Sequence, residues 1–266
     1  MNQIITNLSY DEYSKLDGVN WSVLKHMDEP AVARHQMCST QRAQTDSMKL
    51  GSLVDTMITT PKLVESQFAK QPVDHEYRFT TNKGREWKQE QIQNGLTPVS
   101  FKMWSEAASM AESVMAHPEA EELLGFGMSQ SAVQWEGKHG IQCRGLLDFI
   151  TAGKGFVELK TTSADSWDKF SRDCYFRKYY GQLAFYQRGL QACGREASDV
   201  RMIVVRSHPP YVSEIFKVGY MMLDEGNRLV DNMLDTWNIW KDREGDWKET
   251  SHETPVLDMP MWAYGT

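Results

Sequence analysis

The chain has 266 residues, 41% of them hydrophobic, 11% aromatic and 24% charged, with a formal net charge of −7 at pH 7. This balance excludes a disordered chain, a collagen-like repeat and a disulfide scaffold, and the length suits one large domain or two small ones. The acidity argues against nonspecific coating of nucleic acid, because neutralising phosphates takes a surplus of Lys and Arg, although a whole-chain balance leaves room for a local basic groove.

Short helices are expected first. Asn20 is a polar cap before apolar residues at helical spacing, and Pro30 ends that turn or starts the next helix. Residues 48–58, MKLGSLVDTMI, place Leu50, Leu53, Val54, Met57 and Ile58 on one helical face, with Asp55 inside this buried pattern and Pro61 closing it. Residues 71–100 are polar and poor in apolar periodicity, and are read as a long loop containing the island KGREWKQEQ. A helix follows from Phe101 to about His117.

The period then changes to two. Residues 132–135, 141–150 and 156–160 read as three strands joined by glycine turns, with an antiparallel meander as the natural arrangement. A helix over about 166–194, bent near Cys174, precedes a buried strand at 201–205 and another at 212–218. Residues 221–240 carry a helical stripe that includes Met233, Leu234, Trp237 and Trp240, read as core or subunit interface, and a proline-punctuated tail ends the chain. The four cysteines form no CxxC pair and are expected to be reduced and mostly buried. The seven histidines form neither an HExxH nor a Ser/His/Asp pattern and read as structural or surface residues. There is no secretory leader pattern and no run approaching the ~20 apolar residues of a membrane span, so a soluble protein without membrane contact is expected.

The informative constellation is Asp148, then nine residues, then Glu158-Leu159-Lys160. If the two strands pair as a hairpin around Gly153–Gly155, Asp148 and Glu158 lie side by side, and Lys160 shares the face of Glu158. Neighbouring ionised carboxylates repel, and a divalent cation with a preference for hard oxygen ligands, Mg²⁺ or Mn²⁺, relieves this. The lysine then steadies an attacking hydroxide, which is chemistry suited to phosphodiester hydrolysis. The plain alternative is a solvated hairpin face with one ion pair. Against it, both strands are otherwise apolar, which makes uncompensated charges costly. Gln182 and Tyr186, four apart, share one face of the following helix.

VELKTT, preceded by RGLLDFI and followed by KFSRDCYFRKYYGQLAFYQRGL, resembles the PD-(D/E)xK nuclease superfamily, and within it the RecE-type phage exonucleases. The resemblance extends to NWSVLKHMDEP, MKLGSLVDTMITTP and TNKGREWKQEQ. It implies an α/β fold with a restriction-endonuclease-like core, a central mixed sheet flanked by helices. One nuclease domain over 1–266 is expected: a helical part with a long loop over 1–100, a catalytic core over 101–220, and a C-terminal helix and tail over 221–266. The resemblance further implies Asp148, Glu158 and Lys160 as the catalytic set, with Gln182 and Tyr186 orienting the site and the DNA strand. Mg²⁺, replaceable by Mn²⁺, is held by Asp148, Glu158 and the Leu159 carbonyl. Asp55 joins them where relatives carry a histidine, and Gln130 stands where relatives carry an acidic residue.

For DNA, Ser22 at a helix start and Lys25 are phosphate candidates, with helix capping an equal explanation of Ser22. Lys83, Arg85 and Lys88 of the expected loop are weaker candidates than Lys169, Arg172, Arg177 and Lys178 beside the Gln182 helix. From Lys160 to Arg206 there are nine basic and five acidic residues, whereas from Glu214 to Thr266 there are five basic and eleven acidic. This segregation implies a field across the molecule and salt-sensitive binding. The resemblance implies 5′ to 3′ digestion of duplex ends, a 3′ single strand passed to an annealing protein, a ring-shaped homo-oligomer, and the cytoplasm of a bacterial or phage-infected cell. Two other readings stay open: an endonuclease with the same residues, and a binding module on a decayed nuclease fold.

Overall fold

Helix starts follow local chemistry in the computed structural model, which describes residues 2–6, 8–38, 44–245 and Trp247. Strand β1 (Gln3–Ile5) is followed by α1 (Tyr10–Lys15), α2 (Trp21–Leu24), α3 (Pro30–Cys38), α4 (Asp46–Thr59) and α5 (Val64–Gln67). Side chains of Ser9, Asn20 and Thr45 accept backbone N–H bonds at the starts of α1, α2 and α4, satisfying donors that have no partner within the helix. Asn20, not Ser22, is therefore the cap of α2, and Pro30 opens α3.

Residues 71–100 do not form a long loop. After β2 (Phe68–Lys70), Thr81 caps a three-turn helix, α6 (Asn82–Gln93), and β3 (Thr97–Val99) pairs in parallel with β2 as a separate two-stranded sheet. The helix is built from good helix formers and is largely exposed, so propensity and a cap support it where an apolar stripe is weak. Ser100 caps the next helix, α7 (Phe101–Met115), and α8 (Ala120–Leu124) leads into the main sheet.

That sheet contains β4 (Gly127–Glu136), β5 (Gln142–Thr151), β6 (Gly155–Thr162), β7 (Asp199–Arg206) and β8 (Ser213–Lys217), with β1 at its edge in the order β1-β4-β5-β6-β7-β8. The expected meander is present as β4-β5-β6. The β6–β7 pair is parallel and all others are antiparallel, so the sheet is mixed. Parallel pairing needs a long crossover, which α9 (Trp167–Phe176) and α10 (Tyr179–Ala192) provide. The break between these helices falls at Lys178, in the left-handed region at φ 56°, rather than near Cys174. The last helix is α11 (Tyr220–Trp240).

The sheet is covered on both faces. Val200, Met202 and Val204 of β7 pack with residues of α2, α9, α10 and α11, while Ile203 and Val205 pack with α4 and α7. This alternation is the period-two pattern of a strand buried on both sides. Close helix approach is purchased with glycine at Gly226 of α11, where a Cβ would stand 2.2 Å from the Tyr180 carbonyl oxygen. Cys143 and Cys174 are buried, Cys38 is exposed, and all four thiols are free. Among the described residues no helix is long and apolar enough to cross a membrane.

Candidate active site

The β5–β6 ladder pairs only Phe149 with Val157 and Ile150 with Phe156, at the end near the Gly153 turn. The hairpin therefore opens one step before Asp148 and Glu158 would face each other. At this fork Asp148 Oδ2 accepts the Leu159 N–H at 2.7 Å, replacing a ladder bond with a side-chain one. Glu158, 3% exposed, forms an ion pair with Lys160.

Helix α10 supplies the second layer. Gln182 Nε2 donates to Glu158 Oε1 at 2.8 Å and to Tyr186 Oη at 3.1 Å. Gly145 of β5 leaves room for the Tyr186 ring, which would stand 2.8 Å from a Cβ there. Tyr179, on the same helical face, places its ring 5.0 Å from Lys160 Nζ. The i, i+3, i+7 spacing of Tyr179, Gln182 and Tyr186 was the available signal for this third residue.

Helix α4 enters from the other side of the sheet. A Cβ on Gly51 would meet Thr161 Oγ1 at 3.4 Å, and Asp55 lies one turn further along the same face. Asp55 Oδ2 accepts from Gln130 Nε2 at 2.6 Å. Gln130 has φ 43° and is skipped in the β4–β5 register, although Ser129 and Ser131 on either side are paired. The register is the same on both sides, so Gln130 stands opposite Asp148 without a ladder bond and its amide is turned to Asp55, a role that sequence alone did not reveal because the partners are 75 positions apart.

The electrostatics are strained. Burial, then the charge of Glu158, push Asp55 up to about 7. Asp148 is pushed well above the carboxylate range by burial, then Glu158 and Asp55. Burial alone would drive the Lys160 ammonium down, but Glu158 and Asp148 outweigh it and hold the group protonated. Burial and Glu158 likewise keep the Tyr186 phenol protonated.

Among the described residues, no three Asp, Glu, His or Cys side chains stand ready to hold a metal ion, and these carboxylates are engaged with Leu159, Lys160, Gln182 and Gln130. Their chemistry nevertheless fits a divalent cation. Glu158 Oε2 is buried with no hydrogen-bond donor, and three mutually repelling carboxylates form a hard-oxygen donor set.

The expected DNA-contacting residues are not equivalent. Lys178 Nζ is committed to the Lys25 carbonyl at 2.7 Å and Asp28 at 2.8 Å, so it fastens α2 to the α9–α10 joint. Lys169 pairs loosely with Asp165, whereas Arg172 and Arg177 are exposed. Ser22 is exposed on α2. Away from the fork, Lys83 is paired with Glu76, Arg85 bonds Asn82, and Lys88 lies over Phe79. Much of the acid on α11 is neutralised in place: Asp231 by Arg188, Asp235 by Lys138, and Asp224 and Glu225 by Arg228. Asp246 and the acidic residues from Glu249 onward lie outside the described residues.

A mixed sheet flanked by helices, with an Asp and a Glu-x-Lys at a fork of its central strands, defines a PDDEXK-type α/β fold. The chain belongs to the family described as a PDDEXK-like domain of unknown function (DUF3799), whose model matches residues 21–249. It is similar in fold to a crystal structure from Eubacterium rectale provisionally described as an exonuclease, with 15% identity, 96% of each chain covered and a TM-score of 0.62. A more remote likeness, to LHK-Exo in complex with dAMP, covers 86% of this chain and 93% of that one at 12% identity; its TM-score of 0.32 is too low to carry weight. None of the curated proteins matches the chain. Family and fold together support a nuclease.

Proposed function

We propose that the protein is a Mg²⁺-dependent deoxyribonuclease acting as an exonuclease on duplex DNA ends, with Mn²⁺ as a substitute. The observation carrying this reading is the convergence of Asp55, Asp148, Glu158 and Lys160 at one fork of the sheet. In this reading Asp148, Glu158, Asp55 and the Leu159 carbonyl hold the cation. When bound, it polarises the scissile phosphate and lowers the pKa of the attacking water.

The remaining work falls to the chain itself. Lys160 keeps its proton, so Nζ is a donor that orients water and balances charge developing on phosphate oxygen. Gln182 fixes Glu158 through Oε1 and, with Tyr186, borders the scissile strand. Gln130 holds Asp55 toward the fork. Arg172 and Arg177 contact the DNA backbone, with Lys169, Lys25 and Ser22 as further contacts.

The resemblance to RecE-type exonucleases supports 5′ to 3′ polarity, a 3′ single strand handed to an annealing protein, a ring-shaped homo-oligomer, and action in the cytoplasm. Degradation of 5′- and 3′-labelled linear duplex in Mg²⁺, beside a covalently closed circle, tests the reading. Wild type is expected to shorten only the linear substrate, from its 5′ ends, and Lys160→Ala is expected to lose this activity. Equal degradation by both proteins would overturn the assignment, and cutting of the circle would convert it to an endonuclease.

A further inference from the structure

Arg206, the last residue of β7, pairs in register with Thr162, just as Val204 pairs with Lys160. Period-two geometry therefore puts Arg206 on the same sheet face as Lys160 and Glu158, two ladder steps along. Its guanidinium lies over the Trp167 ring at 4.4 Å, and its Nε is buried with no hydrogen-bond acceptor. Among the other partly buried arginines of this half of the molecule, Arg188 is paired with Asp231, Arg201 with Asp199, and Arg195 donates to the Thr151 carbonyl at 2.9 Å. No carboxylate among the described residues pairs with Arg206. A half-buried cation without an anion is costly, and a guanidinium fork matches the oxygens of a phosphodiester.

Trp167 also forms one wall of a cleft of about 470 Å³, continued by Phe170, Tyr175, Tyr180, Phe216 and Met222. Trp167 and Phe216 meet edge to face at 5.3 Å, and Tyr175 stacks on Tyr180 at 5.9 Å with only 7° between the rings. Tyr175 is nevertheless 64% exposed. The cleft is two ring contacts from the fork, since Phe170 lies 6.5 Å from Tyr179, whose ring faces Lys160. Its acidic rim residue, Glu225, is occupied by Arg228, while Arg172 and Arg177 nearby face solvent.

An unpaired cation stacked on an indole that also walls an aromatic cleft offers partners for the two groups that a nucleotide presents. We infer that Arg206, Trp167 and the cleft form a subsite for the phosphate and base of an unpaired nucleotide next to the scissile bond. This rests on the nuclease reading and deepens it. A paired base is stacked within its duplex, so only a splayed or single-stranded base enters such a wall, where stacking contributes about 1–3 kcal/mol per base. The unpaired cation favours a nucleic acid over an apolar peptide as occupant.

Titrating a 2-aminopurine-labelled single-stranded oligonucleotide in EDTA, where no cleavage complicates binding, tests the inference. Arg206→Gln is expected to weaken binding about tenfold and to reduce the slope of log K against log salt by about one, with Arg206→Lys restoring the slope. Tyr175→Ala is expected to diminish the fluorescence quench while leaving the slope intact. Unchanged affinity and slope in Arg206→Gln, whether or not its melting temperature falls, would overturn the subsite and assign the cleft to structure or to a protein partner. The two readings separate cleanly. Cleavage by wild type with no effect of Arg206→Gln on binding sinks the subsite alone, whereas a changed salt slope in a protein that cuts nothing sinks the nuclease reading and leaves a nucleotide-binding cleft without a scissile bond beside it.

Discussion

At Gln182, helix α10 closes over a cluster in which like charges are crowded together; six residues further along the same helix, Arg188 forms a cluster in which opposite charges are matched. Arg188 Nη1 donates to Asp231 at 2.6 Å and Nη2 to the Asn227 carbonyl at 2.9 Å, and Nε reaches the Asn227 side chain at 2.5 Å. Hydrogen bonding from Arg188 holds Asp231 below the ordinary carboxylate range. Asp55 and Asp148 are shifted the opposite way, by burial and then by the charge of Glu158. One cluster ties α10 to α11 and contributes to stability. The other sacrifices stability to hold acidic groups close together, the pattern expected of a functional site.

This contrast can be broken most severely at Asp148. Asp148→Asn keeps an oxygen for the Leu159 N–H but removes the carboxyl whose ionisation the fork disfavours. Cleavage of labelled duplex is expected to fall about a thousandfold or more, on the scale of losing one electrostatic catalytic group, while the metal-free protein melts higher. A lower melting point would show that the fork is not strained.

Asp55→Asn sharpens the same point through pH. A carboxyl raised to about 7 in the folded state, against about 3.8 unfolded, binds more protons folded than unfolded. Its contribution is full below pH ~4 and is lost as pH rises toward 7, to an extent on the order of 4 kcal/mol. Calorimetry in EDTA is expected to show wild-type stability declining across that window and a flatter profile for Asp55→Asn. Added Mg²⁺ should restore most stability at the alkaline end. Identical pH profiles for the two proteins would contradict the raised value.

At the matched cluster the effects are smaller and of opposite sign. Arg188→Ala is expected to cost about 2 kcal/mol in urea unfolding, because it leaves polar partners unmatched. Asp231→Asn is expected to cost under about 1 kcal/mol, since this carboxylate is partly exposed. A carboxylate with a lowered pKa contributes above its unfolded value and loses that contribution as pH falls through the folded one. Acidification should therefore narrow the gap between wild type and Asp231→Asn. A gap that stays constant down to acid unfolding would argue against the ion pair.

Where local rules apply, the sequence was legible. The period-two runs around Asp148 and Glu158 became β5 and β6, the apolar stripe at 48–58 became α4, and the Gln182–Tyr186 spacing produced a shared helical face. The misread stretch, 71–100, fails for a reason: α6 is an exposed helix held by a Thr81 cap, so its apolar periodicity is faint. The N-terminal strand β1 has only three residues and takes its identity from pairing with β4, more than a hundred positions away.

Sequence by itself determined which residue types stand near one another along the chain: the carboxylates and lysine of β5 and β6, the helix caps, and the glycines at turns. Tertiary structure decided that the β5–β6 ladder stops one pair early, that Asp55 and Gln130 meet across the sheet, that Lys178 is spent on Asp28, and that Arg206 is left without an anion. The physical reason is common to all four. Periodicity and propensity act over a few residues, whereas desolvation and charge compensation depend on which distant groups the packed sheet and helices bring within a few ångströms of each other.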